Sequence, residues 1–170
     1  MQVIRETPRL LLAKYTSEDV GLLHPITSDA ATMSFYPAPF TLEKTTGWIA
    51  RSIRSYKENG FGRYGVLLKE TGEYIGCVGF FRSTVNEILE NDLGWIIAKK
   101  HWNKGYATES AKACLEMAKE HSWFDRIVIQ MAHDHIASRR VAEHLGAKLE
   151  TTFVNHKNRD ILTNLFVVNM

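Results

Sequence analysis

Cysteine is scarce in this chain. Cys77 and Cys114 are the only two among 170 residues, too few for a disulfide framework and without metal-ligand spacing. Each lies in an apolar stretch and is expected to be a buried thiol. An excess of charge is also missing. Lysine and arginine total 21 and aspartate and glutamate 19, which leaves a net charge of +2. That excludes the broad basic face of a nucleic-acid binder. With 45 % apolar and 24 % charged residues, the composition also excludes disorder. No apolar run approaches the roughly 20 residues that a membrane span needs. The opening MQVIRETPRLLLAKY scatters its charges and has no apolar core of a signal peptide. No membrane partner is expected, and the location expected is cytoplasmic. Repeats, linkers and low-complexity segments are lacking too, so a single domain over residues 1–170 is the simplest reading. A domain of this size buries roughly 70 % of its unfolded surface.

What is present is a regular alternation of short elements. Arg9 to Lys14 (RLLLAK) reads as a first strand. Thr16-Ser17-Glu18-Asp19 supplies a helix start, with acids in the first turn, and a short helix follows to about Ile26. After a Pro-rich stretch, Trp48, Ile49, Ile53 and Tyr56 recur at helical spacing, and Gly60 ends that helix. RYGVLL, YIGCVGFF and ILENDLGWII read as three strands of a meander, with turns at Lys69–Gly72 and at Ser83–Asn86. Gly105 to Trp123 is amphipathic, with Ala107, Ala111, Cys114, Leu115 and Ala118 on one face. RIVIQM (residues 126–131) is a buried strand, so a β-α-β unit with a right-handed crossover is expected there. A short helix ends at Gly146, and Lys148 to Asn155 and Ile161 to Val168 close the chain as strands. The expected fold is mixed α/β (α+β), a mixed and mainly antiparallel sheet of about seven strands flanked by about four helices.

The segment HWNKGYATES stands where the fourth of these strands turns into the long helix. A helix start leaves backbone N–H groups without partners and carries partial positive charge, which suits phosphate. Gly105 allows close backbone approach, Ala107 is small, Lys104 can add charge, and Thr108 offers a hydroxyl. The other reading is a tight turn capping a helix. Neither a G-x-x-x-x-G-K-[ST] loop nor a G-x-G-x-x-G fingerprint is present.

NDLGWIIAKKHWNKGYATES, with DHIASRRVAEHLGA further on, resembles the GCN5-related N-acetyltransferases (GNAT), in their RimJ/RimL-like branch. Thr7-Pro8-Arg9-Leu10-Leu11-Leu12 echoes the branch's N-terminal T-x-R-L-x-L. The resemblance spans essentially the whole chain and implies acetyl-coenzyme A as acyl donor and an amine as acceptor, with a homodimer plausible. It also implies a sheet splayed between the fourth and fifth of the expected strands. Trp102 then opens the pyrophosphate loop. Backbone N–H groups of Asn103, Lys104, Gly105, Tyr106, Ala107 and Thr108 would hold the pyrophosphate. Asn103 stands where a glycine is common, and asparagine tolerates left-handed backbone angles. The pantetheine arm would pair with Ile96, Ile97 and Ala98, aided by a bulge near Gly94 or Trp95.

Amine acetylation needs a proton acceptor, usually a carboxylate. Asp92 stands at the branch's glutamate position, one methylene short, which favours a water relay. Asp92 is therefore either that base or a solvated polar position; Glu87 and Glu90 are read as solvated. Ser138, matching the serine of the branch's N-x-A-S, is expected to touch the coenzyme sulfur; its alternative role is first-turn capping. His135 replaces the asparagine of that motif and is placed on the pantetheine amides. His133 and His135 would share a strand face, but no third ligand lies near and no metal is expected. The acceptor is placed against Phe35 and Tyr36, with Phe40 read as packing. No acidic cluster advertises a polyamine. A catalytically weak acyl-coenzyme A sensor of the same fold is the rival reading.

Overall fold

The computed structural model describes residues 1–170. Eight strands form one sheet: β1 (Gln2–Glu6), β2 (Leu10–Lys14), β3 (Arg63–Leu68), β4 (Tyr74–Val85), β5 (Ile88–Ile97), β6 (Arg126–Ala132), β7 (Lys148–Asn155) and β8 (Ile161–Asn169). Four helices accompany them: α1 (Val20–Thr27), α2 (Leu42–Asn59), α3 (Tyr106–Glu120) and α4 (Ile136–His144). The strand order is β1-β2-β3-β4-β5-β6-β8-β7. Every neighbouring pair is antiparallel except β5 and β6.

The class agrees with the sequence reading, and the strand count exceeds it by β1. QVIRE alternates weakly and is mostly exposed, because an edge strand pairing only with β2 has little apolar face to show. The meander turn also moves. β4 runs on to Val85, and Asn86 (φ 44°) and Glu87 (φ 68°) make the tight hairpin turn, as left-handed angles at both central positions require. The long helix stops earlier than Trp123, at Glu120, with Ser122 left-handed at φ 51° just beyond it.

Two clusters fill the two faces of the sheet. Leu12, Val66, Val78, Phe80, Leu93, Ile127 and Ile129 pack against Ala111, Cys114 and Ala118 of α3 and Ala142 of α4. On the other face Cys77 and Ile96 meet Leu23 and Ile26 of α1, Ile49 of α2, and Met33 and Phe40 from the loop between these helices. Each fully buried Leu or Phe contributes about 1.5–3 kcal/mol relative to leaving it exposed. Cys77 and Cys114 are free and buried, and burial pushes their thiols up to about 11 and about 12. That removes them from thiolate chemistry at neutral pH.

The parallel pair β5–β6 makes the site. These strands register only at Asp92 and Val128 and part beyond that point. By contrast β4 and β5 pair without a register shift from Gly76 and Ile97 to Val85 and Ile88. The bulge expected near Gly94 or Trp95 is therefore not there. Gly94 serves another purpose: a Cβ on it would lie 2.4 Å from Arg63 Nη1. The glycine clears a path across the sheet for a buried arginine.

Candidate active site

A cleft of about 1710 Å³ opens where β5 and β6 separate. Its floor is the end of β5 and the start of α3; its far end is walled by α2, the β4–β5 hairpin and the β7–β8 turn. Trp102, Asn103, Gly105, Tyr106, Ala107 and Thr108 all line it. Lys104 does not; its side chain is exposed, and the loop contributes its backbone there.

That backbone is unusual. Asn103 adopts φ 59° and Gly105 φ 79°, the left-handed angles that Asn and Gly tolerate. Helix α3 begins at once, with no side chain capping it. The backbone N–H groups from Asn103 through Thr108 donate to no acceptor in the protein. Consecutive free N–H groups at a helix start form a concave anion site. Trp102 closes the loop by donating its indole N–H to the Ile97 carbonyl, at 2.6 Å.

The loop is held from behind by a residue that sequence reading left without a role. Arg9 donates from Nη1 to the Lys104 carbonyl at 2.9 Å and from Nε to Glu109 at 2.6 Å. Its guanidinium lies 4.7 Å from the centre of the Tyr106 ring. Glu109 also accepts from the Arg9 backbone N–H and the Thr7 hydroxyl. Burial alone would raise this carboxyl, but those hydrogen bonds hold it below its ordinary range. The Thr7-Pro8-Arg9 stretch was the available signal. An Arg9→Ala variant should fold and hold an anion at this loop about tenfold more weakly, the loss expected of one charged hydrogen bond, as read by calorimetric titration with inorganic pyrophosphate.

Along β5, the Ala98 N–H donates to Ile75 at 2.9 Å within the sheet. Because N–H and C=O directions alternate in an antiparallel ladder, Ile96 spends its backbone groups on β4, and the Ala98 carbonyl accepts from the His101 N–H at 2.8 Å. Trp95 and Ile97 turn theirs to the open edge. Of the expected pantetheine contacts, Ile97 alone turns its backbone N–H to the cleft, its carbonyl being taken by Trp102.

At the head of the splay lies Asp92, facing neither solvent nor a bare apolar wall. It is 8 % exposed and accepts from Arg63 Nη2 at 3.3 Å. Burial raises its carboxyl above the usual range, opposed by Arg63, the Gln130 amide and Arg51. Glu90, expected to be solvated, is also 8 % exposed, because Arg126 lies over it at 3.0 Å and shields it at the sheet surface. Glu87 is exposed at the hairpin tip.

Gly94→Ala gives a graded test of this arrangement. The added methyl would displace the Arg63 guanidinium, the far end of a flexible side chain, so the protein should fold. Losing the cation beside Asp92 favours the neutral acid. Any activity limb set by Asp92 should then move to higher pH, as checked by a pH–rate profile.

Across the cleft His135 caps α4: its Nδ1 accepts from the Ser138 N–H at 3.0 Å. The capping role thus belongs to His135 and not to Ser138. An accepting Nδ1 places the neutral ring's proton on Nε2, which stands 3.4 Å from Ser138 Oγ. Burial lowers the His135 pKa, which keeps that ring neutral. The ring also lies 3.7 Å, centre to centre, from Phe35. His133 diverges to Asn164, at 3.0 Å: β6 ends at Ala132, so the two histidines share no strand face. Phe35 and Tyr36 line the cleft, whereas Phe40 is 3 % exposed and packs edge-on against Tyr36. Sequence reading missed Arg51, Arg63 and Gln130, which also line the cleft. A charge at the head of the apolar strand RYGVLL was the signal for Arg63, since a buried charge demands a partner.

Comparison with known proteins bears on this geometry. The family profile described as an acetyltransferase (GNAT) domain matches residues 9–148. The uncharacterized N-acetyltransferase YnaD of Bacillus subtilis (strain 168) is 28 % identical over 148 residues, covering 86 % of this chain and 84 % of its own. The crystal structure of a GNAT-family acetyltransferase from Bacillus anthracis superposes with a TM-score of 0.78 at 26 % identity, covering 99 % and 98 % of the two chains. RimL, a ribosomal L7/L12 alpha-N-protein acetyltransferase solved with coenzyme A, shares the fold at a TM-score of 0.82 and 18 % identity, over 99 % and 98 % of the chains.

Proposed function

Since the chain belongs to the GNAT acetyltransferase family and is an acyltransferase with the fold of the RimJ/RimL-like branch, we propose that it moves an acetyl group from acetyl-coenzyme A to a primary amine. Residues 1–170 act as one catalytic unit in this reading. The observation that carries it is the run of unpartnered N–H groups from Asn103 to Thr108, a site for the coenzyme pyrophosphate. Trp102 and Arg9 fix the loop around it. The open edge of β5 at Ile97 guides the pantetheine arm toward Asp92. About 17 Å of strand lies between those two residues at 3.4 Å per residue, so the phosphates and the reacting carbon occupy opposite ends of the cleft.

In this mechanism Asp92 takes the proton of the acceptor ammonium through a relaying water, because its carboxylate already engages Arg63. The free amine attacks the thioester carbonyl, the tetrahedral intermediate collapses, and the C–S bond breaks. The thiolate leaves toward Ser138. With His135 Nε2–H directed at Ser138 Oγ, the serine hydroxyl proton is free to donate to sulfur. A serine is too weak an acid to surrender that proton outright, so Ser138 stabilises the leaving thiolate, and the second proton, lost by the nitrogen as the intermediate collapses, neutralises the sulfur. Phe35 and Tyr36 wall the acceptor.

Isothermal titration with acetyl-coenzyme A tests the reading. Binding at sub-millimolar concentration together with free-thiol release on adding amines is expected. No binding in that range would sink it, and binding with no turnover of any amine would favour a sensor.

A further inference from the structure

The far end of the cleft carries more positive charge than the chemistry at Asp92 uses. Arg51 of α2 and Arg63 of β3 flank one ring: their guanidinium carbons lie 4.1 Å and 5.2 Å from the centre of Phe81. Arg63 is 4 % exposed, makes its one side-chain hydrogen bond to Asp92, and leaves its Nε without an acceptor. Arg51 is half-buried and donates only to neutral oxygens, the Arg82 carbonyl at 2.5 Å and Ser83 Oγ at 3.4 Å. Burial first, and the charge of Arg63 next, pull its pKa below the ordinary arginine range. Of the two guanidinium groups only Arg63 pairs with a carboxylate, that of Asp92. Lys157 adds positive charge at the same end, against Glu87.

A buried cation without its anion is costly, and a guanidinium offers several N–H groups in a planar fork suited to a carboxylate. We propose that the acceptor amine carries a carboxylate in the same molecule, received by Arg51 and the unfilled N–H groups of Arg63, with its ammonium turned to Asp92. This rests on the acetyltransferase reading and names the class of acceptor within it. The charge pattern fits a zwitterion: the cation of the substrate meets Asp92, and its anion meets the uncompensated guanidinium. A polyamine would face like charge on these walls. The carboxylate can belong to a free amino acid or to an acidic side chain next to the N-terminus of a peptide.

Matched pairs of acceptors test the proposal by free-thiol release. L-Alanine is paired with L-alaninamide and β-alanine with β-alaninamide. C-terminally amidated tripeptides with Asp at the second position are paired with those bearing Asn. In at least one arm the carboxylate member should have a kcat/KM about tenfold to a hundredfold above its amide, the range set by one charged hydrogen bond. The favoured arm identifies the source of the carboxylate. Arg51→Gln should erase the preference through KM, and Arg51→Lys should restore part of it, while retained acetyl-coenzyme A binding shows that each variant is folded. Equal use of amides by the wild type, or a preference that survives in Arg51→Gln, overturns the proposal. Should acetyl-coenzyme A bind without turnover of any amine, the transferase reading fails separately. The same pairs titrated calorimetrically onto coenzyme A-loaded protein then decide: carboxylate-selective binding lost in Arg51→Gln supports the proposal, and equal or absent binding overturns it.

Discussion

Gly105→Glu is expected to weaken acetyl-coenzyme A binding on the order of ten-thousandfold. Two effects add. Gly105 sits at φ 79°, where an L-residue carries about 1–2 kcal/mol of strain, so any side chain there tilts the loop. A new carboxylate would also stand among the free N–H groups of Asn103 to Thr108. Repulsion between it and a phosphate about 4 Å away costs about 4 kcal/mol at an effective dielectric of about 20, which alone is nearly three orders of magnitude. Gly105→Ala separates the two effects. It carries the strain without the charge, and its added methyl would stand 3.3 Å from Arg9 Nη2. Binding should weaken about tenfold. Calorimetric titration of variants with unchanged circular dichroism reads both. Normal binding by a folded Gly105→Glu would place the phosphate elsewhere.

Asp92→Asn is the second large effect. Loss of a general base lowers kcat/KM near neutral pH by about 10²–10⁴-fold. In the wild type the active form is the carboxylate. Its pKa is raised by burial, so activity should fall as the pH drops through that raised value. The asparagine variant lacks that limb and depends on solvent to deprotonate the amine. Its rate should recover toward the wild type as the pH approaches the pKa of the acceptor amine. A profile of kcat/KM against pH for both proteins, with one acceptor throughout, measures this. An unchanged profile would assign Asp92 to holding Arg63 in place and the proton to another route.

Much of the architecture was legible because its signals are local. The β5–α3–β6 unit announces itself through the apolar run ILENDLGWII, the break at Asn103-Lys104-Gly105 and the amphipathic face of α3, and all three agree. The left-handed turn at Asn103 and Gly105 follows from the residue types. Strand β1 was not legible, since an exposed edge strand has no apolar period to detect. The supposed bulge at Gly94 failed for a related reason. A glycine in a strand signals close approach, but the chain alone does not say of what; here it is the Arg63 side chain crossing the sheet.

The acceptor end was the least legible part of the site. Arg51, Arg63 and Asp92 come from a helix and two strands that meet only in the folded protein. The arrangement that shapes their chemistry, one cation paired with a buried carboxylate and a second cation left without one, has no sequence spacing. His133 and His135 show the same limit. Two residues apart, they would share a face only if the strand continued, and it ends at Ala132. Sequence reading also placed the charge of Lys104 at the phosphate loop, where the structure offers backbone N–H groups and sets Arg9 behind them.

The central claim is that these free N–H groups hold the coenzyme while the open edge of β5 leads it to Asp92. An amide-resolved NMR titration of the ¹⁵N-labelled protein with coenzyme A addresses it most directly. The account predicts the largest shifts at the amides of Asn103 to Thr108, with a second group at Trp95 and Ile97 and little change at Ile96 and Ala98. Saturable shifts that spare Asn103 to Thr108, or no saturable shift at all, would contradict it.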